Sequence, residues 1–361
     1  MTKLLIATIA SVATVALATA LAGCSSDLGG ADPTANCTVV PNLTIRSDAD
    51  LSKVPSGCFG VQGTFEISGL TQPDLSAISD LVVAAHLRIE DNDGLQSFTG
   101  LENVQVLGDL IIDGNPDLAS IDGLEGTQSL VSLQITDNPA LRDLRGLSNL
   151  EQVQGDAIIE GNSGLRDLTG LSRLEAVGGT LSIRDDGALT SLHGLDRFEG
   201  VRGMVVSANP ALTSLAGAER LQVAVTLQIS DNPRLSSAAG MELVEVGDLI
   251  ISGNAAMTRL GGFEQLQRAR GSVTLENNDA MTDLDGFSGA FLSVAGILAV
   301  RGNANLTSAT GLANLKAIGS GLIITDNPRL SQCRATAIRT QIPSVAGGID
   351  IRNNSTAYNP C

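Results

Sequence analysis

The fold of this chain is decided by one repeated stretch, of which a copy reads Leu110-Ile111-Ile112-Asp113-Gly114-Asn115-Pro116-Asp117-Leu118-Ala119-Ser120-Ile121-Asp122-Gly123-Leu124. The underlying pattern is Leu-x-Ile-x-x-Asn-x-x-Leu-x-x-Leu-x-Gly-Leu, and it returns about every 23 residues. A fixed period of this length is typical of a solenoid, in which each repeat forms one coil. The asparagine position is filled by Asn92, Asn115, Asn138, Asn162, Asp186, Asn209, Asn232, Asn254, Asn278, Asn303, Asn327 and Asn354.

The spacing of the apolar residues predicts the interior of each coil. Leu110 and Ile112 are two residues apart, so in an extended strand both point into the coil. Ile111 and Asp113 then point outward. A single coil cannot fold alone, because the apolar surface it buries does not offset the entropy lost on ordering it. Stacking is therefore required, since neighbouring coils supply strand hydrogen bonds and cover the open faces.

Two further positions define the bends. Asparagine suits the turn after the strand, because it tolerates positive φ and its amide both donates and accepts hydrogen bonds. Stacked asparagines are expected to form a buried amide ladder. Asp186 has no amide donor, so we expect a local flaw or a water molecule at that rung. A glycine position predicts a bend with positive φ or a close backbone approach, at Gly100, Gly123, Gly146, Gly170, Gly194, Gly217, Gly240, Gly262, Gly286 and Gly311.

The repeat also has a two-coil rhythm. The residue before each ladder asparagine alternates between an acidic or amide side chain and a small residue, as in Asp91, Gly114, Asp137 and Gly161. One interpretation is charge spacing, in which each carboxylate skips a coil and accepts a bond from a neighbouring glycine N–H. Duplication of a two-coil ancestor is a second interpretation, and both can hold. A ladder of Ca²⁺-binding aspartates is disfavoured, because these aspartates lack second ligands.

The outward residue in mid-strand alternates in step with that rhythm as far as Ala299, and Ile323 is out of step. Its apolar members could form a partner-binding stripe. The alternative is that these residues simply favour a β-sheet, with no binding role. The stripe consists of Ile111, Ile158, Val205, Ile250 and Ile323.

The stretch Leu133–Val153 shows the longer pattern Gly-x-Leu-x-Ile-x-x-Asn-x-x-Leu-x-x-Leu-x-Gly-Leu-x-x-Leu-x-x-Val, beginning at its first leucine. It resembles the receptor L-domain family, whose repeats look like leucine-rich repeats and which occurs in growth-factor receptors and microbial surface proteins. The resemblance covers roughly residues 60–354 and implies an all-β solenoid, a right-handed β-helix of about 12–14 coils. Ligand sites of the receptors do not carry over, because here the stack is uninterrupted.

The amino-terminal residues 1–23 predict a secretory signal peptide, with Lys3 followed by an apolar run. The run ends in Leu21-Ala22-Gly23-Cys24, which resembles the bacterial lipobox. That resemblance implies cleavage before Cys24 and a palmitate-type acyl anchor on it. The alternatives are an ordinary signal followed by a free cysteine, or a membrane-spanning anchor. Ser25 after the cysteine resembles the sorting pattern for the outer membrane, and residues 24–35 have the composition of a flexible tether.

The remaining four of the five cysteines lie at the two ends of the repeat. An exported protein meets an oxidising compartment, so we expect disulfide bonds that close the ends, Cys37 with Cys58 and Cys333 with Cys361. Metal binding by these thiols is the rival interpretation, but no Cys-x-x-Cys is present. The predicted organisation is an N-terminal cap over residues 36–64, a repeat solenoid over 65–332 and a C-terminal cap over 333–361, in which residues 334–342 suit a short helix.

Composition narrows the partners. A formal charge of −17 disfavours nucleic acid and anionic lipid surfaces. Aromatic residues make up 2% and tryptophan is absent, which disfavours sugar stacking. The two histidines, His86 and His193, lie in different coils, so no catalytic triad is predicted, and no cofactor or metal site is indicated.

Two functions of different class follow from these expectations. The first is a non-enzymatic lipoprotein of the bacterial cell envelope that presents its repeats for recognition of, or adhesion to, a protein or surface. The second is a structural spacer or envelope-organising lipoprotein with no dedicated ligand. The outward apolar stripe favours the first, and the lack of loop insertions favours the second.

Overall fold

The computed structural model describes residues 37–287, 289 and 291–356, apart from the side chain of Val223. These residues divide into two compact units, one containing 37–158 and 169–174, the other 159–168 and 175 onward. Both units are parallel β-solenoids, and between them they contain about 14 turns of about 23 residues. The predicted all-β solenoid is therefore confirmed.

In the first unit, consecutive coils pair their strands in parallel. Leu87 in one coil pairs with Leu110 in the next, and Leu110 pairs with Leu133. The registers thus repeat the sequence period. The strands are β1 (Thr38–Val40), β2 (Leu43–Ile45), β3 (Phe59–Ser68), β4 (Leu81–Glu90), β5 (Gln105–Val106), β6 (Asp109–Asp113), β7 (Ser129–Leu130), β8 (Ser132–Thr136), β9 (Gln152–Val153) and the first half of β10 (Ala157–Glu160), with 3₁₀ turns at Asp48–Lys53, Ser76–Ile78, Arg145–Leu147 and Thr169–Leu171.

The second unit follows the same rule. Leu227 in one coil pairs with Met204 on one side and Leu249 on the other. Its strands after the second half of β10 are β11 (Ala176–Arg184), β12 (Gly200–Ser207), β13 (Val223–Ser230), β14 (Glu245–Ser252), β15 (Arg268–Ala269), β16 (Val273–Glu276), β17 (Ser293–Val294), β18 (Ile297–Arg301), β19 (Ala317–Ile318), β20 (Gly321–Thr325), β21 (Ser344–Val345) and β22 (Gly348–Arg352), with 3₁₀ turns at Asp285–Phe287 and Thr310–Leu312 and one helix, α1 (Gln332–Gln341).

The core has the predicted inside–outside alternation. Leu110 and Ile112 are fully buried, whereas Ile111 and Asp113 between and after them are half-exposed. Aliphatic side chains dominate the interior of both units. The second unit also holds an aromatic group, in which the rings of Phe287 and Phe291 stack with centroids 4.7 Å apart. This alternation arises because adjacent side chains of a strand point to opposite faces, and only one face lines the coil.

The predicted amide ladder is present in both units. In the first unit, Asn115 Oδ1 accepts the N–H of Asn92 at 3.2 Å, and Asn138 Oδ1 accepts the N–H of Asn115 at 3.1 Å. In the second unit the same bond, from a backbone N–H to the Oδ1 of the next rung, runs from Asn162 to Asn354, with Asp186 as the one carboxyl rung among them. The members of the ladder are buried. The ladder satisfies backbone N–H groups that the turn removes from strand pairing, and a buried N–H without a partner is costly.

The glycine position has two causes, as expected. Gly123 has a φ of 119°, a conformation that L side chains rarely adopt. Gly146 lies in a 3₁₀ turn instead, where a Cβ atom would be 1.8 Å from the carbonyl oxygen of Ile121 in the preceding coil. Turn geometry and close stacking of coils therefore select the same residue at the same place in the repeat.

Helix α1 replaces the regular coil near the end of the second unit. It begins at Gln332 and ends at Gln341, so the helix expected over residues 334–342 is confirmed with its start two residues earlier. Ala335 and Ile338 bury their side chains, and Pro343, which follows soon after the last turn, cannot donate a helical hydrogen bond. β22 then returns to the solenoid and pairs in parallel with β20, as predicted for the last strand.

Candidate recognition face

The outward face of the second unit carries most of the predicted stripe. Each of its residues has a cross-strand partner in the next coil, so the central positions form one row. Val205 pairs with Gln228, and Gln228 with Ile250. The complete row is Ser182, Val205, Gln228, Ile250, Thr274, Ala299, Ile323 and Asp350.

Exposure along this row is uneven. Ile250 and Ile323 are half-exposed, whereas Val205 is only 8% exposed and Ala299 4%. Outward side chains of neighbouring coils stand close together in a parallel sheet, so each covers part of the next. The row therefore offers apolar atoms at Ile250 and Ile323, with polar Gln228 and Thr274 between the apolar members.

The first unit carries the other two stripe residues. Ile111 is half-exposed and pairs with Arg88 on one side and Gln134 on the other. Ile158, in β10, is also half-exposed. The alternation of apolar and polar outward residues thus holds in this unit as well.

Sequence reasoning missed an exposed apolar residue on the same face, next to Ile323. Ile297 begins β18, is 38% exposed, and pairs with Gly321, two residues before Ile323. Ala299 lies on the same strand and pairs with Ile323 directly. Together, Ile297, Ala299, Gly321 and Ile323 form an apolar group, here called the β18–β20 patch. The signal that could have found it is an apolar residue at an outward position, two residues before Ala299. Other coils have a polar residue there, such as Ser132, Thr180 or Asp248.

The residue before each ladder asparagine occupies a left-handed turn. Asp91, Asp137 and Ala208 have φ values of 55°, 53° and 55°, and Gly114 has 64°. Aspartate, asparagine and glycine are the residues that tolerate this region best. The same place in other coils has positive φ at Asp185, Asp231, Asn277, Asp326, Asn353, Gly161, Gly253 and Gly302.

Packing explains why acidic and small residues alternate there. A Cβ atom on Gly114 would be 2.8 Å from Oδ1 of Asp91, and one on Gly253 would be 2.2 Å from Oδ1 of Asp231. The prediction that the glycine N–H donates a hydrogen bond to the carboxylate is wrong. Gly114 N–H donates instead to the carbonyl oxygen of Thr136 in the next coil, because the parallel strands continue their hydrogen bonding into the turn. Glycine is there to leave room for the carboxylate.

Metal-binding clusters and membrane-spanning helices are both absent from the described part of the chain. No three histidine, cysteine or acidic side chains lie close enough together there to hold a metal ion. The described residues also contain no helix that is long and apolar enough to cross a membrane.

One array on the first unit resembles catalytic machinery. His86 Nδ1 lies 2.9 Å from Asp109 Oδ2, and the hydroxyl of Ser132 donates to Asp109 Oδ1 at 2.6 Å. A serine nucleophile needs its hydroxyl on the imidazole, so that the base can remove the proton. Here the carboxylate lies between the two, which does not activate the serine. The other histidine, His193, lies 3.7 Å from exposed Asp196.

Three of the cysteines, Cys37, Cys58 and Cys333, lie within the described residues. Cys37 and Cys58 form a disulfide bond, as predicted, with Cα atoms 4.7 Å apart. Cys333 is also disulfide-bonded. Its expected partner, Cys361, and the predicted acylation site, Cys24, lie outside the described residues, so that pairing and the lipid anchor stay predictions.

Comparisons with known proteins identify no family for this chain. The sequence matches no model of a known protein family and no curated protein. Among solved structures, it aligns with the "Crystal structure of TLR13-ssRNA13 complex" at 10% identity and a TM-score of 0.17, over 91% of this chain and 76% of that chain. A TM-score this low carries no argument about fold or function. The receptor L-domain resemblance therefore stays a prediction from the repeat pattern.

Proposed function

We propose that this protein is a non-enzymatic lipoprotein of a bacterial cell envelope that recognises a protein or surface through the outward face of its solenoid. The observation that carries this proposal is the β18–β20 patch. Ile297 is 38% exposed and Ile323 is half-exposed, on neighbouring parallel strands whose backbones are held by the core. A rigid sheet that presents apolar side chains at fixed spacing suits a complementary surface, because little entropy is lost on binding.

The envelope location rests on the sequence. Leu21-Ala22-Gly23-Cys24 supplies the lipid attachment site, and Ser25 favours the outer membrane. The membrane is the proposed partner of the N-terminus, through acyl chains on Cys24, and the proposal involves no nucleic acid or cofactor. The Cys24→Ala variant should leave the membrane pellet and appear in the soluble fraction, because the acyl chains supply the hydrophobic attachment. Unchanged sedimentation with the membrane would contradict the anchor.

Site-specific photocrosslinking in living cells tests recognition. A photoreactive amino acid at position 323 should yield a crosslinked adduct, because this side chain reaches the partner. The same amino acid at position 329, an exposed residue of the turn after β20, is the matched control and should yield none. Adducts at both positions would indicate nonspecific contact. Protease treatment of intact cells then shows whether the solenoid faces outward or lies in the periplasm.

A structural spacer is the second candidate, and one observation favours it. Val205 and Ala299, two apolar members of the outward row, are 8% and 4% exposed, so part of the row serves packing between coils. A spacer needs no ligand, and its photoreactive variants at positions 250, 297 and 323 would all stay free of adducts. The crosslinking experiment thus decides between the two functions.

A further inference from the structure

The amide ladder follows one hydrogen-bonding rule at its ordinary rungs. Asn232 Oδ1 accepts the N–H of Asn209 at 3.1 Å. Its Nδ2 donates to the carbonyl oxygens of Ser230, in its own coil, and Val206, in the preceding coil, both at 3.0 Å, and to Oδ1 of Asn254 at 3.3 Å. The side-chain oxygen is thus an acceptor toward the preceding coil, and the side-chain nitrogen is surrounded by acceptors.

Asp186 occupies one rung with a carboxyl group instead of an amide. Its Oδ1 accepts the N–H of Asn162 at 2.9 Å and Nδ2 of Asn162 at 3.3 Å, and its own N–H donates to Asn209 Oδ1 at 3.0 Å. Oδ1 therefore does what an asparagine oxygen does. Oδ2 takes the place of the nitrogen, but it has no hydrogen-bond partner among the described residues, and Asp186 is completely buried.

The surroundings of Oδ2 follow from the repeat. In the next rung, Asn209 Nδ2 donates to the carbonyl oxygen of Ile183, three residues before Asp186. By the same spacing, two carbonyl oxygens would face Asp186 Oδ2: that of Ile159 in the preceding coil and that of Arg184 in its own coil. Asn209 Oδ1 is the third, because it already accepts the N–H of Asp186 and its orientation is thereby set. An ionised carboxylate would have donors at Oδ1 but only acceptors around Oδ2, and a buried charge that is only partly hydrogen-bonded is strongly unfavourable.

We propose that Asp186 is held in the folded protein as a neutral carboxylic acid, with the proton on Oδ2, and that this proton supplies the donor that asparagine supplies in the other rungs. The protonated group then has the acceptor and donor sides of an amide. Loss of the proton weakens this rung alone. The second unit therefore contains a pH-sensitive coil, while the coils on either side have rungs that do not titrate.

The charged neighbours act in the same direction. Burial raises the pKa of Asp186 to about 7, the hydrogen bonds from Asn162 oppose this rise, and the negative charges of Asp185 and Glu160 add to it. Arg184 lies on the same strand next to inward Ile183, so the strand alternation assigns its half-exposed side chain to the outward face of the sheet. In the next coil, residues 206–211 contain no titratable side chain. Among the described residues, no cation is therefore placed to stabilise the ionised form from the ladder side.

The sign of the pH effect follows from proton linkage. The pKa of Asp186 is about 7 in the folded state and near its ordinary value of 3.8 when unfolded. Between these values the folded protein binds one more proton, so stability falls as pH rises from about 4 to about 7. The full contribution of the neutral group is present below that window. Above it the weakened rung persists without further change.

The Asp186→Asn substitution in the full chain tests the proposal, because it supplies a permanent donor. Urea unfolding at pH 5 and pH 8 should show a more stable variant, with the advantage in the unfolding equilibrium constant greater at pH 8 by about tenfold or more. The matched reverse variant is Asn232→Asp, which creates a second carboxyl rung in the same ladder. It should be less stable than the wild type, and more so at pH 8 than at pH 5.

An equal effect of Asp186→Asn at both pH values, or a loss of stability at pH 8, would overturn the proposal. Infrared spectroscopy gives a reading that does not depend on unfolding. The wild type at pH 6 should show a carboxylic acid C=O stretch that the Asp186→Asn variant lacks, so this band should appear in the wild-type-minus-variant difference spectrum. A spectrum showing only ionised carboxylates at that pH would also overturn it.

Discussion

Replacing Asn254 by leucine is the most direct test of the ladder. Asn254 is completely buried. Its Oδ1 accepts the N–H and Nδ2 of Asn232, at 3.1 and 3.3 Å. Its Nδ2 donates to the carbonyl oxygens of Ile229 and Ser252, at 2.9 and 3.1 Å, and to Asn278 Oδ1 at 3.3 Å. Leucine has a similar size but makes none of these bonds.

The magnitude follows from which groups keep a partner. Ser252 O still accepts the N–H of Asp231, and Asn278 Oδ1 still accepts the N–H of residue 254. The N–H of Asn232 loses its acceptor, and a buried orphan costs about 1–3 kcal/mol. Ile229 O loses one bond, worth about 1 kcal/mol. We therefore expect Asn254→Leu to lower the free energy of unfolding by roughly 2–4 kcal/mol.

The matched control lies four residues earlier in the same coil. Ile250 points outward and is half-exposed, and its partner in the next coil, Thr274, shows that threonine fits the row. Ile250→Thr should cost about 1 kcal/mol or less. Urea unfolding of both variants, followed by circular dichroism, measures the difference. A loss for Ile250→Thr as large as that for Asn254→Leu would refute the inside–outside assignment and the role of the ladder.

Three further predictions address the turns and the N-terminal end. Ala208 has a φ of 55°, so Ala208→Gly should raise the free energy of unfolding by about 1 kcal/mol; a destabilised variant in urea would contradict this strain. Gly253→Ala should lower the free energy of unfolding by about 1–2 kcal/mol or more, because of the left-handed φ and the clash with Asp231. Adding Asp231→Ser to this variant removes the clashing carboxylate and should recover part of the lost thermal midpoint. Removing the Cys37–Cys58 bond, which spans 21 residues, should cost roughly 2–4 kcal/mol in thermal unfolding, and an unchanged midpoint would count against its role.

Several outward features could be predicted only in part. The alternation of Asp91 with Gly114 is visible in the sequence, but its cause is a contact between coils. Sequence reasoning assigned a hydrogen bond from glycine N–H to the carboxylate. The structure shows that this N–H binds Thr136 O and that the missing Cβ leaves space for the carboxylate. Such a distinction depends on distances between coils, which a one-dimensional pattern does not contain.

The candidate recognition face shows the same division. The row from Ser182 to Asp350 was predictable, because the strand period assigns each residue to a face. Exposure along the row was not, since Val205 is nearly covered while Ile250 is half-exposed at an equivalent position. Neighbouring side chains decide how much of each residue remains accessible. Ile297 was missed for the same reason. Its cross-strand partner in the next coil is Gly321, which has no side chain to cover it, and this pairing is known only from the structure.

The sequence by itself determined the solenoid, its period, the inward Leu–Ile pairs and the buried asparagine ladder. These features are local and repeat in every coil, so a single period and the alternation of a strand are enough to specify them. Only the tertiary structure decided what each repeat meets in its neighbours. It showed the buried oxygen of Asp186 without a partner, the room left beside Asp231 and the exposed Ile297. Those properties depend on contacts between residues about 23 positions apart in the sequence. The distances between such residues are set only when the coils stack.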